Sequence, residues 1–249
     1  WAWKENRIKA IKRDVDFMYV ILPFEKAFYE QKHQYPVHFV GHPLLDAIAQ
    51  REEVDAETFK SENGLDSRPI IALLPGSRKQ EIAKMLKIML SVVDDYHQYQ
   101  FVIAGAPSID YEFYQQFIKE ENVHFISGKT YDLLSVSYAA LVTSGTATLE
   151  TALLNVPEVV CYKGSWLSYH IAKRIIKLKY ISLVNLIMDK PVVTELIQGD
   201  LTKKNLEKEL DKLSTYTRRY EIFKDYVLLC EKLGGEGASE KTAALIVKK

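Results

Sequence analysis

From residue 68 onward the chain repeats one unit: a short, nearly continuous apolar run, a Gly- or Ser-containing turn, then a stretch of helical periodicity. The runs are 70–74, 101–105, 123–126, 140–142 and 158–162. Between the first two, residues 80 to 96 place Ile82, Leu86, Met89, Leu90 and Val93 at the spacing of one helix face. Strands that are apolar in succession, instead of alternately, are covered on both faces, and strands separated by helices run parallel. The sequence therefore predicts an α/β fold, a doubly wound parallel sheet. Such sheets take ligands in the crevice at the carboxyl ends of their strands.

Those ends are where the small residues fall. Gly76 and Ser77 follow the first run, Gly105 ends the second, and Ser144, Gly145, Thr146 and Ala147 follow the fourth. Exposed backbone N–H groups at a strand-to-helix junction, helped by the helix dipole, favour a phosphate. The same residues also serve a turn that binds nothing. Arg78 is a cation at the start of a helix, a placement the dipole disfavours unless an anion is present, and its planar fork suits a diphosphate. Glu150 can accept both hydroxyls of a ribose, or simply stabilise the helix start that it occupies.

Charge and motifs remove other classes. Lys+Arg and Asp+Glu both number 33 in 249 residues, so no global field draws the protein to nucleic acid and any anion affinity is local. Neither a Walker P-loop nor a GxGxxG occurs, which argues against GTPases, kinases and ordinary NAD enzymes. Cys161 and Cys230 stand outside any CxxC or Cys/His cluster, so a reduced compartment is expected and a zinc site is not. No apolar run reaches the ~18 residues that span a bilayer. His42, between Gly41 and Pro43, reads as a structural or capping residue.

Before residue 51 the chain reads as a basic helix over 4–13, a strand over 17–22, a helix over 24–32 and a short strand over 37–41. Residues 51–67 are polar and acidic, carry no core-like periodicity beyond one weak helix, and read as a link between two domains. Trp166, Lys173, Arg174 and Lys177 belong to a basic, aromatic-interleaved helix that either packs on the core or rests on anionic lipid.

Several blocks then carry a resemblance. Trp1-Ala2-Trp3, Arg7 with Ile11-Lys12-Arg13, Leu22-Pro23-Phe24-Glu25-Lys26, Phe39-Val40-Gly41-His42-Pro43, Leu73-Leu74-Pro75-Gly76-Ser77-Arg78, Ser144-Gly145-Thr146-Ala147-Thr148-Leu149-Glu150 and Ser182-Leu183-Val184-Asn185-Leu186, continued by Glu195-Leu196, together resemble the lipid-A-disaccharide synthase family. The resemblance implies an inverting glycosyltransferase of the B fold, with two Rossmann-like domains across a cleft, needing neither metal nor cofactor. Its reaction joins UDP-2,3-diacylglucosamine to 2,3-diacylglucosamine 1-phosphate through a β-1,6 bond and releases UDP. It implies a nucleotide-sugar site at Gly76, Ser77, Arg78, Gly105, Ser144, Gly145, Thr146, Ala147, Glu150 and Asn185. Acylated substrates imply a protein peripheral on the cytoplasmic face of the inner membrane, touching it through Trp166, Lys173, Arg174 and Lys177.

On this resemblance residues 1–50 correspond to the tail of an N-terminal acceptor-side domain, 51–67 to the linker and 68–213 to the UDP-sugar domain. Residues 214–249 correspond to helices that cross back toward the N-terminal half and can support a homodimer. The acidic general base of the family has no counterpart here, so the chain is expected to bind UDP and to transfer sugar poorly alone. The alternatives are a UDP-N-acetylglucosamine 2-epimerase-like enzyme and a non-catalytic nucleotide-sugar-binding or membrane-surface module.

Overall fold

The computed structural model describes residues 5–164 and 179–247. The N-terminal part contains α1 (Arg7–Asp14), β1 (Tyr19–Val20), α2 (Pro23–Ala27) continuing as a π-helical turn over Phe28–Lys32, β2 (His38–Phe39) and α3 (Pro43–Ala49). β1 and β2 pair in parallel, Tyr19 opposite His38. Val20, Tyr29 and Val37 form a small buried cluster beneath them. Only two residues of each run find a ladder partner, which is why the expected strand over 17–22 shrinks to Tyr19–Val20. Pro43 at the first helical position needs no acceptor for a missing N–H, and His42 caps the same turn, its Nδ1 accepting from the Leu44 N–H at 3.2 Å.

Next come α4 (Ala56–Glu62), β3 (Ile70–Leu74), α5 (Lys79–Met89), β4 (Gln100–Gly105), α6 (Tyr111–Gln115), β5 (Val123–Ser127), α7 (Thr130–Ser135), β6 (Ala139–Thr143), α8 (Thr146–Leu153) and β7 (Glu158–Tyr162). The described chain resumes with α9 (Leu183–Met188), β8 (Thr194–Ile197), α10 (Lys203–Ser214), α11 (Tyr216–Lys232) and α12 (Ala238–Val247). Strands β3 to β8 form one parallel sheet in the order β5-β4-β3-β6-β7-β8.

Successive residues of the central strands feed opposite layers. Ile71 and Leu73 of β3 pack with Ile82, Met85 and Leu86 of α5 on one face, whereas Ile70, Ala72 and Leu74 pack with Leu133 and Leu134 of α7 on the other. Full burial of each such Leu or Ile contributes about 1.5–3 kcal/mol, which makes these continuous apolar runs the natural centre of the fold. Edge strands β5 and β8 are only partly buried, as expected for strands with one neighbour.

Four differences from the sequence reading are local. The helix expected over 80–96 is α5 followed by 3₁₀ turns over Leu90–Asp95. That expected over 110–119 is reduced to α6. β8 and α10 have no counterpart in the sequence reading, although Leu206, Leu210 and Leu213 of α10 stand at the i, i+4, i+7 spacing of one helix face and are buried. The weak helix of the 51–67 stretch is α4, and the stretch differs from the reading in packing: Phe59 joins Leu65 in the core with residues of β3 and β4. Trp166, Lys173, Arg174 and Lys177 lie outside the described residues.

The closing helices meet the N-terminal part directly. The Asp46 carboxylate on α3 accepts from the Gly237 and Ser239 N–H groups at 2.6 and 3.0 Å, and the His42 N–H donates to the Leu233 carbonyl at 3.0 Å. Those two N–H groups hold the Asp46 carboxyl below its usual range.

Candidate functional site

The strand order reverses at β3. The chain moves outward to β4 and β5, then returns to lay β6 on the opposite side of β3. With Leu74 beside Val142, the two turns that leave β3 and β6 emerge side by side. This is the switch-point crevice of a doubly wound sheet. A cavity of about 260 Å³ occupies it, lined by Gly76, Ser77, Gly105, Ser144, Gly145, Thr146, Ala147 and Glu150, with Thr130, Thr143, Pro107 and Glu81. Eight of the ten residues implied for a nucleotide-sugar site thus line one cavity.

Gly76 has φ +112, a backbone that side chains rarely adopt, and a Cβ there would stand 2.2 Å from Glu81 Oε2. That carboxylate oxygen accepts from the Ser77 N–H at 3.2 Å. An internal anion therefore sits on the first of the proposed phosphate donors. On the other side of the cavity, Gly145 is the N-cap of α8 and has open space where a side chain would be. Thr148 Oγ1 donates to the Gly145 carbonyl at 2.9 Å, fixing the turn, while the first-turn N–H groups of a helix lack intrahelical acceptors. Gly105 serves differently: a Cβ there would meet the Phe125 ring at 2.4 Å, so its smallness admits a neighbour as well as a ligand.

Glu150 is oriented by Tyr131, whose hydroxyl donates to Glu150 Oε1 at 3.0 Å. Burial, with the Glu150 charge beside it, pushes the Tyr131 phenol up to about 12, so it remains a donor at neutral pH. Arg51 stacks over the Tyr131 ring at 5.2 Å and pairs with Asp132. Sequence reasoning missed this support, because Arg51 and Tyr131 lie far apart along the chain and neither stands in a motif.

Two implied site residues do not line this cavity. Asn185 is 1% exposed, with its amide satisfied internally. Nδ2 donates to the Val193 carbonyl and to Glu195 Oε1, both at 2.9 Å, and Oδ1 accepts from the Val193 N–H at 3.0 Å. Glu195 also accepts from the Ile181 and Ser182 N–H groups and the Ser182 hydroxyl. Asn185 is thereby a positioning residue: its network holds residues 181–182, and Ser144 Oγ donates to the Ile181 carbonyl at 3.2 Å. Both Nδ2 hydrogens are used inside the fold, and among the described residues only a second lone pair of Oδ1 is left over.

Arg78 is the second exception. It lines an adjacent cavity of about 340 Å³ with Lys79, Gln80, Lys84, Met85, Tyr162, Lys163 and Gly164. Glu81 and Thr143 border both cavities.

A doubly wound sheet with small-residue turns gathered at its switch point defines this chain as one Rossmann-like unit of the kind that B-fold glycosyltransferases and sugar-nucleotide epimerases use. Solved structures agree at the level of fold. UDP-GlcNAc 2-epimerase from Neisseria meningitidis bound to UDP-GlcNAc matches 100% of this chain and 68% of its own with a TM-score of 0.66 at 16% identity. The calicheamicin glycosyltransferase CalG4 matches 98% of this chain and 56% of its own with a TM-score of 0.56 at 13% identity.

Sequence is more specific. The family model for lipid-A-disaccharide synthetase matches residues 1–248. The lipid-A-disaccharide synthase of Syntrophus aciditrophicus is 40% identical over 253 residues, covering 98% of this chain. The chain belongs to the lipid-A-disaccharide synthetase family. It spans 66% of the length of that relative, and 57% of the one from Anaeromyxobacter dehalogenans strain 2CP-1.

Proposed function

We propose that this chain is the UDP-sugar-binding part of a lipid-A-disaccharide synthase. The donor is UDP-2,3-diacylglucosamine, the acceptor 2,3-diacylglucosamine 1-phosphate, and the product the β-1,6-linked disaccharide. The reading is carried by the convergence of the Gly76–Ser77, Gly105 and Ser144–Ala147 turns with Glu150 around one cavity. The diphosphate lies between the two small-residue turns, accepting from backbone N–H groups, and displaces the Glu81 carboxylate from Ser77. Glu150, held by Tyr131, accepts from the ribose hydroxyls. Arg78, next to Ser77 on the rim of the neighbouring cavity, supplies the guanidinium. Preorganised donors of this kind stabilise the departing UDP where charge develops in the transition state.

Calorimetric titration with UDP tests this reading. Saturable binding by the wild type, weakened about tenfold or more in Arg78→Ala by loss of a charged hydrogen-bond donor, is expected. Absence of UDP binding refutes the reading; unchanged affinity in the variant removes Arg78 from the diphosphate.

Domain boundaries at residues 51 and 68, contact with the inner-membrane surface through Trp166, Lys173, Arg174 and Lys177, and dimerisation through α11 and α12 belong to the same proposal. Tyr216, Tyr220, Val227, Ile246 and Val247 on the closing helices are exposed, which supports a partner surface there. Flotation with anionic vesicles, repeated with Lys173, Arg174 and Lys177 changed to Glu, and light scattering at high concentration test these two contacts.

A further inference from the structure

The cavity beside the nucleotide site is cationic to a degree the rest of the chain is not. Arg78, Lys79, Lys84 and Lys163 border it against one acid, Glu81, in a protein whose Lys+Arg and Asp+Glu both total 33. None of these cations forms an ion pair among the described residues. Lys79 is spread 5.6 Å over the Phe113 ring, and the other three side chains have no hydrogen-bond acceptor among the described residues. Like charges gathered around one hollow repel one another unless an anion joins them.

A second observation points the same way. Thr143, at the tip of β6, is only 5% exposed, and its Oγ1 has no hydrogen-bond partner among the described residues. Buried hydroxyls are normally paired, and leaving one unpaired costs about 1–3 kcal/mol. Thr143 borders both cavities, so its hydroxyl is an unused donor at their common wall.

We propose that the Lys84 and Lys163 side of this second cavity binds the phosphate of a sugar 1-phosphate beside the nucleotide, with Arg78 at its rim left to the donor's diphosphate. The inference rests on the proposed function, in which the acceptor carries that phosphate monoester. Lys84 and Lys163 reach it from α5 and from the end of β7, and the Thr143 hydroxyl donates to it. Glu81, standing between the cavities, keeps two anions from sharing one set of donors. The acceptor is thereby held on the donor-binding domain by its phosphate, with its sugar free to face the departing UDP.

The test uses this chain saturated with UDP and titrated with glucosamine 1-phosphate, inorganic phosphate or glucosamine, comparing wild type with Lys84→Gln/Lys163→Gln. Glucosamine 1-phosphate is expected to bind on top of UDP, more tightly than inorganic phosphate, and glucosamine to bind far more weakly. In the double variant its affinity falls about tenfold or more through loss of charged donors, while UDP affinity stays within about twofold. An equal loss of UDP affinity would assign the cavity to the donor and overturn the inference. Equal affinity for inorganic phosphate and glucosamine 1-phosphate, or no sugar-phosphate binding while UDP binds, overturns it too. Sugar-phosphate binding without UDP binding supports this cavity and refutes the nucleotide reading alone.

Discussion

Glu158 opens β7 with its side chain 1% exposed and with no hydrogen-bond partner for either carboxyl oxygen among the described residues. Burial, reinforced by the nearby Glu195 charge, pushes its pKa well above the ordinary carboxylate range, so the folded protein holds it as a neutral acid. In the unfolded chain the same group ionises near pH ~4.3. Between that pH and the folded pKa the native state binds one proton more than the unfolded state. Stability contributed by the neutral acid is therefore complete at low pH and declines as pH rises, by about 1.4 kcal/mol per pH unit. Glu158→Gln cannot ionise. The stability of the wild type relative to this variant should fall along that slope from about pH 5 upward. Glu158→Met, close in volume and without polar oxygens to strand, should gain about 1–3 kcal/mol at neutral pH. Urea denaturation of the three proteins from pH 5 to 8 measures both effects. Stability curves of wild type and Glu158→Gln that run parallel across that range would refute the neutral, unpartnered carboxyl.

The site yields further expectations. Glu150→Gln should weaken UDP about tenfold and abolish any preference for UDP over its 2′-deoxy form, both read by calorimetry. Gly76→Ala places a methyl against the Glu81 carboxylate at a left-handed φ, and should cost about 1–3 kcal/mol in a denaturation curve while lowering UDP affinity. Asn185→Ala strands the Val193 N–H and carbonyl, and should lose at least about 1–3 kcal/mol of stability. Its effect on UDP should be smaller than that of Glu150→Gln, because Asn185 acts through Ile181 and Ser144.

Much of this protein was legible in one dimension. Continuous apolar runs can be satisfied only between two covering layers, so residues 70–74, 101–105 and 140–142 announce a buried parallel sheet wherever they occur. The turns Gly76–Ser77 and Ser144–Thr146 are likewise local, because their chemistry follows from small residues at strand ends, and the family blocks fixed the kinship. Thr146 to Leu153 and Val123 to Ser127 form close to where the pattern placed them for the same local reason. Tertiary structure alone decided which turns meet. The reversal at β3 brings Gly76 beside Gly145, sets Tyr131 against Glu150, draws Asn185 inward to Val193 and Glu195, and parts Arg78 from the first cavity. Hydrogen bonds and charges act over a few ångströms of space whatever the separation along the chain, so sequence spells out which segments form and folding determines which polar atoms are used up and which stay available.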